Sequence, residues 1–489
     1  MLMTLLFGLI GTSVAGPVDV YGFGAKSIGR GQGGISVADG GMTVFRNPAL
    51  LQDLEWAEAV IGYGLYRSDF PEGPNVYWDT NRDGLLNSSD DPLRVKSQSS
   101  SSDSVTLSMS RNVGSKVGLG INAFLPTSQF LRLHTTEPAL PTWVMYGSRN
   151  QRFEIAVGLG AEVFRGISVG VSAELIAQAR YRINATLDVA AGTANEEDPA
   201  GEDLIDYVTV DIHEMTLDLV PRFIPVVGLH WDAGVLAPTL NGLYLGAAWR
   251  GSSGVPVDAS IDLQLNGSVF HDMEELEPMY VTLLMPVELS IFDHYVPERL
   301  SLGASYEHKE WAMAYVDLHH SRWSEMQVNV AHVTESEIRS QLIGVEENLL
   351  DDANDYDAVF VDTWSVHGGF EIFLPQIDVQ GEAGSIQPVI RAGMGLIPSP
   401  LQSQGSGTAF LDADRMLFST GMGVSHQDPF DLVPGPVSWD MFFTAHRLAS
   451  GELKPTASGN IRPGAPVDGA AFPIGGKLWS SGVQLAVSF

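Results

Sequence analysis

The stretch Ser104-Val105-Thr106-Leu107-Ser108-Met109-Ser110 decides the fold. Its odd-numbered positions are apolar, and its even-numbered positions are serine or threonine. Successive side chains of a β-strand point to opposite faces of the sheet. The stretch therefore predicts a strand that has one apolar face and one polar face.

The same period of two returns along the chain, at residues 117–122, 155–160, 169–175, 243–247 and 300–306. Gly, Ser, Asn and Glu occupy most of the positions between the apolar ones. A soluble β-sandwich also alternates, but such a persistently polar face suits the interior of a membrane barrel. The alternation in 167–189 is also longer than the roughly 9–11 residues that a tilted strand needs to cross a bilayer. We therefore predict an all-β fold, a transmembrane antiparallel β-barrel with roughly 14 to 16 candidate strands.

The C-terminal stretch 482–489 alternates up to its last residue, Phe489. A terminal aromatic residue on an amphipathic strand looks like the signal that the barrel-assembly machinery recognises, and a closed ring has no unpaired strand edge facing lipid. Aromatic residues near predicted strand ends would form the interfacial girdles of such a barrel. They are Trp56, Tyr63, Tyr66, Trp249, Trp311, Trp323 and Trp479.

Composition excludes several classes of protein. Hydrophobic residues make up 44% of the 489 residues, but no run of 18 apolar residues exists that would predict a membrane helix. The net charge of −32 argues against a nucleic-acid partner, and the absence of cysteine excludes disulfide and thiol chemistry. Gly-x-Ser-x-Gly, His-Glu-x-x-His and phosphate-loop motifs are absent, so we expect no enzyme.

Three regions follow one another along the chain. Residues 1–15 combine a short apolar core with small residues at Ser13-Val14-Ala15, which is typical of a cleavable secretory signal peptide, although no basic residue precedes the core. A buried N-terminal strand is the alternative. Residues 16–55 are rich in Gly and do not alternate, which fits a plug inside the barrel. Residues 56–489 form the predicted barrel, with long external loops.

Several motifs that follow one another in a fixed order resemble those of one protein family along almost the whole chain. Three stretches resemble the N-terminal hatch of the FadL family of outer-membrane transporters for long-chain fatty acids and aromatic hydrocarbons. They are residues 24–31, Ala38-Asp39, and residues 45–50 with Asn47-Pro48-Ala49. Later matches are Asp317 to Gln327 with its Trp-Ser pair, the stretch 390–401, and the stretch 411–423. Each motif is weak alone, but their order on an alternating background is specific.

The resemblance implies a barrel of about 14 strands whose lumen holds a hatch. It also implies an outer-membrane channel for passive uptake of hydrophobic compounds, with the ligand bound in the lumen and released laterally into the membrane lipid. Asn47, Pro48 and Ala49 are then expected to form the hatch turn, because proline fixes φ and asparagine bonds to nearby backbone. An ordinary turn is the alternative for these three residues.

No local motif marks ligand-contacting residues. Basic candidates for meeting a ligand carboxylate are Lys26, Arg30, Arg46 and Arg222. The acidic balance of the chain disfavours an anionic substrate, so a neutral hydrocarbon is an equal alternative. A FadL-like scaffold or adaptor for secretion or surface attachment is the alternative function, and an outer-membrane lipid enzyme is a second rival.

A calcium loop is predicted at residues 79–90. Its spacing resembles EF-hand and dockerin-type loops, in which oxygen ligands at fixed positions surround Ca²⁺ and Gly84 permits the sharp turn. The predicted ligands are Asp79, Asn81, Asp83, the carbonyl of Leu85, Asn87 and Asp90. The alternative is an Asp/Asn-rich turn without metal. His319 and His320 are not expected to share a metal, because neighbours on a strand face opposite ways.

Overall fold

The structure is a computed structural model. It describes residues 20–54, 57–78, 88–95, 99–114, 116–127, 141–143, 145–146, 153–192, 205–270, 279–326, 332–340, 344–347, 358–378, 385–404, 409–427, 433–453, 465–466 and 471–489. The proposed signal peptide lies outside these residues, as do five of the six predicted calcium ligands. No helix within the described ranges has the length and apolar character that crossing a membrane requires.

Fourteen strands form one closed antiparallel ring within the described part of the chain. They are β1 Glu58–Asp69, β2 Ser101–Val113, β3 Val117–Pro126, β4 Glu154–Phe164, β5 Ile167–Gly192, β6 Ile205–Asp232, β7 Leu243–Arg250, β8 Glu298–His308, β9 Ala312–Arg322, β10 Thr363–Phe373, β11 Ser385–Ile397, β12 Arg415–His426, β13 Val437–Leu453 and β14 Phe472–Ser488. Each strand pairs with the one before it and the one after it.

The C-terminal strand closes the ring. β14 pairs antiparallel with β1, so that Ser488 lies opposite Glu58 and Lys477 lies opposite Asp69. Every strand of the ring thereby has a neighbouring strand on both sides, which a hydrocarbon environment requires. The predicted all-β barrel of about 14 strands is confirmed.

The two faces of the wall differ as the alternation predicts. On β2, Leu107 is 41% exposed whereas Ser108 is buried, and on β8, Leu302 is 45% exposed whereas Ser301 is buried. The exposed apolar residues of the ring strands alternate with buried ones and form an apolar outer surface. Acyl chains can cover such a surface without leaving a polar group unsatisfied.

Residues 20–54, which we call the N-terminal segment, lie inside the ring. The segment contains the short helix α1 (Ala25–Gly29) and the 3₁₀ turns Met42–Phe45 and Pro48–Asp53. Its residues are buried along nearly the whole length and meet inward-facing positions of β2 to β14. Such contacts around the circumference are possible only for a chain enclosed by the wall.

The long-loop end of the ring is covered by a lid. Three small sheets build it: Val76–Trp78 with Asp91–Leu93 and Ala465–Pro466, Thr142–Trp143 with Phe410–Leu411, and Val359–Phe360 with Leu401–Ser403. A shared hydrophobic core joins this lid to the start of the N-terminal segment, and Phe70 and Trp143 stack in it with ring centroids 4.4 Å apart.

A further sheet continues from the ring beyond its rim. From about Tyr181 onward, β5 pairs with the parallel strand Ser253–Phe270 instead of β4. The strands Met279–Val296, His332–Ser340 and Gly344–Glu347 extend this sheet in order. β5 and β6 are therefore much longer than a membrane span requires.

Two aromatic residues of the expected girdle face the interior instead. Tyr66 is 5% exposed because it shares the inward phase of β1 with Val60, and Trp323 is 6% exposed in the turn Trp323–Glu325 that follows β9. The predicted Trp-Ser strand thus ends at Arg322, before the motif. Trp249 and Trp311 are exposed on the outer surface, while Trp56 lies outside the described residues.

Candidate functional site

The turn at Asn47-Pro48-Ala49 is held by its asparagine. Asn47 is fully buried and precedes the 3₁₀ turn Pro48–Asp53, where its Oδ1 accepts a hydrogen bond from the Ala49 N–H at 3.2 Å. Its Nδ2 donates to the carbonyl of Ile35 at 2.7 Å and to the carbonyl of Leu229 on β6 at 3.0 Å. One amide side chain therefore links two parts of the N-terminal segment to the wall.

Inward-facing glycines let the segment's backbone touch the wall. A Cβ atom added at Gly118 would overlap the carbonyl of Leu51, and one added at Gly228 would overlap the side chain of Asn47. An added Cβ atom would also overlap backbone atoms of the segment at Gly160, Gly170, Gly246 and Gly393. The glycines on the polar face of the sequence pattern thus mark close approach of two backbones.

Buried ion pairs fix the segment to β10, β11 and β13. Arg30 of the segment pairs with Glu371 at 3.2 Å, Arg391 pairs with the same carboxylate, and Arg391 also pairs with Asp440 at 2.6 Å. All four side chains are almost fully buried. Charges in such a place need partners, so this cluster holds the segment in one position.

Further hydrogen bonds distribute the anchoring around the wall. The Asp317 carboxylate accepts from the Gly34 N–H at 2.5 Å, and Gln484 accepts from the Ala25 N–H at 2.9 Å. His367 bonds through Nδ1 to the Gly31 carbonyl at 2.8 Å. At this depth the segment therefore has polar contacts with several strands of the wall.

A cavity of about 120 Å³ lies between the lid and the N-terminal segment. We call it the lid cavity. Its large apolar lining residues are Phe23, Ile35, Phe45, Met145, Tyr146 and Trp323. Its basic lining residues are Arg46, Arg250, Arg299 and Arg415. Asp412 supplies a carboxylate, and His319 and His367 also line the cavity.

Arg46 is a basic residue of the N-terminal segment that lines the lid cavity. Its guanidinium donates to the carbonyl of Gly33 at 2.9 Å and to the carbonyl of Phe23. Burial lowers the pKa of Arg46 to about 10, with Asp39 acting in the opposite sense. The group remains protonated at neutral pH and can attract an anion.

The other basic candidates from the sequence lie elsewhere. Arg30 belongs to the ion pairs described above, and Arg222 is exposed on β6. Burial lowers the pKa of Lys26, but Glu58 and further carboxylates outweigh it, so the pKa is raised overall. Only Arg46 of the four candidates lines the lid cavity.

Sequence reasoning missed the other three arginines of the cavity. Arg250, Arg299 and Arg415 each stand at the rim end of a strand, in the same phase as its inward residues. The sequence did offer one signal for these residues: each is a basic residue at a strand end, in the phase whose side chains face the interior. Their grouping depends on pairing between strands that are far apart in the sequence, which no local pattern reveals.

His319 and His320 face opposite sides of the wall, as expected for neighbours on a strand. His319 meets His367 across β9 and β10, with ring centroids 5.1 Å apart, and bonds to Ser301 at 2.8 Å. Among the residues that the structure describes, no three His, Asp or Glu side chains converge as a metal site would require.

The predicted calcium loop connects two strands of the lid. Asp79, Asn81, Asp83, Leu85 and Asn87 lie outside the described residues. Asp90 is described and buried, at 5% exposure. The flanking strands pair so that Trp78 lies opposite Asp91, which brings the two ends of the loop together.

An apolar groove of about 450 Å³ runs over the outer surface where β4 to β8 meet. Gly170 and Gly228 line it, and the Asn47–Ala49 turn lies directly behind them. Ala248 of β7 lines both this groove and the lid cavity. The lid cavity and the outer groove therefore lie on opposite sides of the wall at Ala248.

Comparison with known proteins gives structural similarities only. No family model matches the chain, and no curated protein matches it. The chain is similar to a Pseudomonas aeruginosa FadL homologue, with 13% identity, 98% of each chain covered and a TM-score of 0.47. It is similar to the P. putida toluene transporter TodX, with 11% identity, 96% and 99% of the two chains covered and a TM-score of 0.46. It is also similar to the Ralstonia pickettii toluene transporter TbuX, with 12% identity, 96% and 99% covered and a TM-score of 0.45.

Proposed function

We propose that this protein is an outer-membrane channel for passive uptake of hydrophobic compounds. The observation that carries the proposal is the lid cavity, a space with apolar lining residues inside a ring whose outer surface is itself apolar. A water-filled pore gives an apolar solute no shelter, whereas such a cavity does. In this proposal the N-terminal segment acts as the hatch below the bound ligand.

Uptake by cells tests this function directly. Cells that make the protein and cells that lack it are supplied with labelled oleate and labelled toluene. We expect faster uptake of at least one of the two compounds in cells that make the protein. Equal uptake of both would contradict the transport function and leave a scaffold or adaptor as the better account.

The ligand leaves sideways, through the wall between β6 and β7. The buried ion pairs of Arg30, Glu371 and Arg391 oppose passage of an apolar molecule along the barrel axis, because it would have to separate these charges and offers them no polar partner. The ladder between β6 and β7 is short and covers only Val226–Asp232 of β6. It lies between the lid cavity and the outer apolar groove.

A disulfide tether tests the lateral route, because the native chain has no cysteine. Leu229 and Ala247 are paired across β6 and β7, so Leu229→Cys with Ala247→Cys places two thiols on opposite strands of the route. Leu119→Cys with Leu159→Cys is the matched control, across β3 and β4. Oxidation should stop uptake in the first variant, reduction should restore it, and the control should be unaffected. Undiminished uptake in the oxidised first variant would exclude this route.

A structural Ca²⁺ ion in the 79–90 loop is a second part of the proposal. The support is the ligand spacing of the sequence together with the paired strands at the loop ends. Bound metal would fix the hairpin that belongs to the lid. Extracellular sites of this kind have a Kd of roughly 10⁻⁴–10⁻³ M.

Limited proteolysis with and without chelator tests the calcium site. We expect millimolar Ca²⁺ to protect the loop from cleavage, and a chelator or Asp79→Asn to remove the protection. Asp378→Asn, an exposed acidic residue far along the chain, is the control. Cleavage at the same rate in all conditions would favour the metal-free turn.

A further inference from the structure

The outer apolar groove runs between two rows of side chains that cross β4 to β8. The strand register places the members of each row directly opposite one another. The row nearer the long-loop end, which we call the upper row, is Leu159, Val171, Val227, Trp249 and Leu300. The other row, which we call the lower row, is Ala161, Val169, Leu229 and Ala247. Every residue that lines the groove is Gly, Ala, Val, Leu or Trp.

The floor of the groove is made by small residues between the two rows. Gly170, Gly228 and Ala248 are opposite one another on β5, β6 and β7, in the inward phase of these strands. The floor is supported from inside, because the backbone of Ala49 lies directly behind Gly170 and the side chain of Asn47 lies behind Gly228. The groove is therefore already formed before anything binds in it, which lowers the entropic cost of binding.

The dimensions of the groove match one acyl chain. From β4 to β8 it crosses four strand spacings of about 4.8 Å, which gives a length of about 19 Å. Because the groove is perpendicular to strands that tilt by about 35–45°, it rises by about 11–13 Å along the membrane normal. One leaflet contributes about half of the roughly 30 Å hydrocarbon core. A chain that lies in the groove therefore spans most of one leaflet.

The groove is continuous with the lipid-facing surface of the ring. Leu159, Val171 and Val227 of the upper row are 44%, 50% and 45% exposed and belong to the same outward phase as the rest of the apolar wall. A chain in the groove contacts two rows of side chains and the floor, whereas a chain on a plain wall contacts one side only. The additional dispersion contacts favour the groove over the rest of the surface.

We propose that the groove is a binding site for one acyl chain of a membrane phospholipid. Lipid is the occupant because the groove is part of a surface that bilayer chains cover, so these chains are always present beside it in excess. The inference rests on the proposed function only in that the same groove is the exit for the transported compound. In that case the transported compound displaces the lipid chain as it leaves the wall.

Native mass spectrometry of the full-length protein released from detergent micelles measures lipid binding. The first probe is dipalmitoyl phosphatidylethanolamine, and the second is dihexanoyl phosphatidylethanolamine, which has the same headgroup and short chains. We expect one molecule of the dipalmitoyl lipid to bind at a lower concentration than any further one. The dihexanoyl lipid should bind at least about tenfold more weakly, because two or more buried methylenes account for such a ratio.

Two substitutions in the lower row assign the binding to the groove. Ala247→Phe and Ala161→Phe each place a ring where the chain would lie, so each should weaken binding of the first lipid at least about tenfold. Ala314→Phe is the matched control, because Ala314 is exposed in the outward phase of β9 and does not line the groove. All three rings lie on an apolar outer surface, and the heat-dependent mobility of the folded band checks each barrel.

Two results would overturn the inference: lipid adducts without a preferred first molecule, or native affinity for the first lipid in both groove variants. Protein-dependent uptake of toluene by cells, without a preferred lipid in the mass spectra, would refute the lipid site alone. A preferred lipid that both groove variants lose, without protein-dependent uptake of any compound, would refute the transport function and leave the lipid site standing.

Discussion

Single glycines set the distance between the N-terminal segment and the wall. The inward face of β6 approaches the segment at Gly228, where even a methyl group would overlap Asn47. The side chain of Asn47 in turn bonds to the carbonyl of Leu229, the next residue of the same strand. The contact between Asn47 and Gly228 and the hydrogen bond from Asn47 to the Leu229 carbonyl therefore depend on the missing Cβ atom of Gly228.

Gly228→Ala should lower the free energy of unfolding by about 1–3 kcal/mol, because overpacking forces backbone shifts. It should also expose the N-terminal segment to protease. Gly451→Ala on β13 is the control, because a Cβ atom added at Gly451 would lie 3.9 Å from its nearest neighbour, the Cβ of Ile474. The measurement is urea unfolding in lipid vesicles, together with proteolysis of the folded protein. Equal stability of the two variants would show that the wall yields at Gly228.

Arg391→Met should destabilise the protein by about 3–5 kcal/mol, because it leaves the carboxylates of Glu371 and Asp440 buried without this partner. The same substitution at the surface residue Arg322 should cost about 0–1 kcal/mol, although Arg322 also has two acidic partners. Unfolding midpoints in urea compare the two variants. Similar losses in both would mean that burial does not strengthen the dependence on Arg391.

At the scale of elements, the phase of several strands could be read from the sequence, although Tyr66 on β1 faces the interior against expectation. Alternation in stretches such as 104–110 identified both faces of the wall, because a strand's two faces depend only on residue parity. What fills the interior could not be read in the same way. The polar phase of a water-lined pore and that of a wall packed on an inner segment look alike, and Gly228 differs from a pore glycine only through its distant neighbour Asn47.

The lipid-facing phase of β8 predicts a depth-dependent penalty for charge. Leu302→Arg, on the exposed face in the middle of the strand, should destabilise the barrel by about 2–4 kcal/mol. Tyr306→Arg, on the same face near the strand end, should cost about 0–1 kcal/mol. Folding into vesicles at increasing urea concentrations measures both. A larger loss at Tyr306 would mean that the membrane lies at a different height on the wall.

At the scale of the whole molecule, the ring and its contents are separate structures. The ladders from β1 to β14 close without any residue of the N-terminal segment. The segment in turn has little regular structure of its own beyond α1 and two turns. Its position depends on the wall, whereas closure of the wall does not depend on it.

A variant that lacks residues 20–54 should still form a closed barrel but should conduct ions. Removing the segment empties the interior below the lid cavity, so steady currents should appear in planar lipid bilayers where the complete protein passes almost none. Resistance of the folded band to detergent at room temperature checks that the ring has formed. Currents equal to those of the complete protein would show that another part of the chain blocks the interior.

The pairing of β14 with β1 also dictates an order of events during biogenesis. The strand that completes the circle is the last of the fourteen along the chain, whereas the enclosed segment precedes the first of them. If the segment enters between strands, it has to occupy the centre before β14 pairs with β1, because no side opening remains after that pairing. In that order of assembly the ring closes around a segment that is already in place. A ring that closed earlier would leave the N-terminal segment outside.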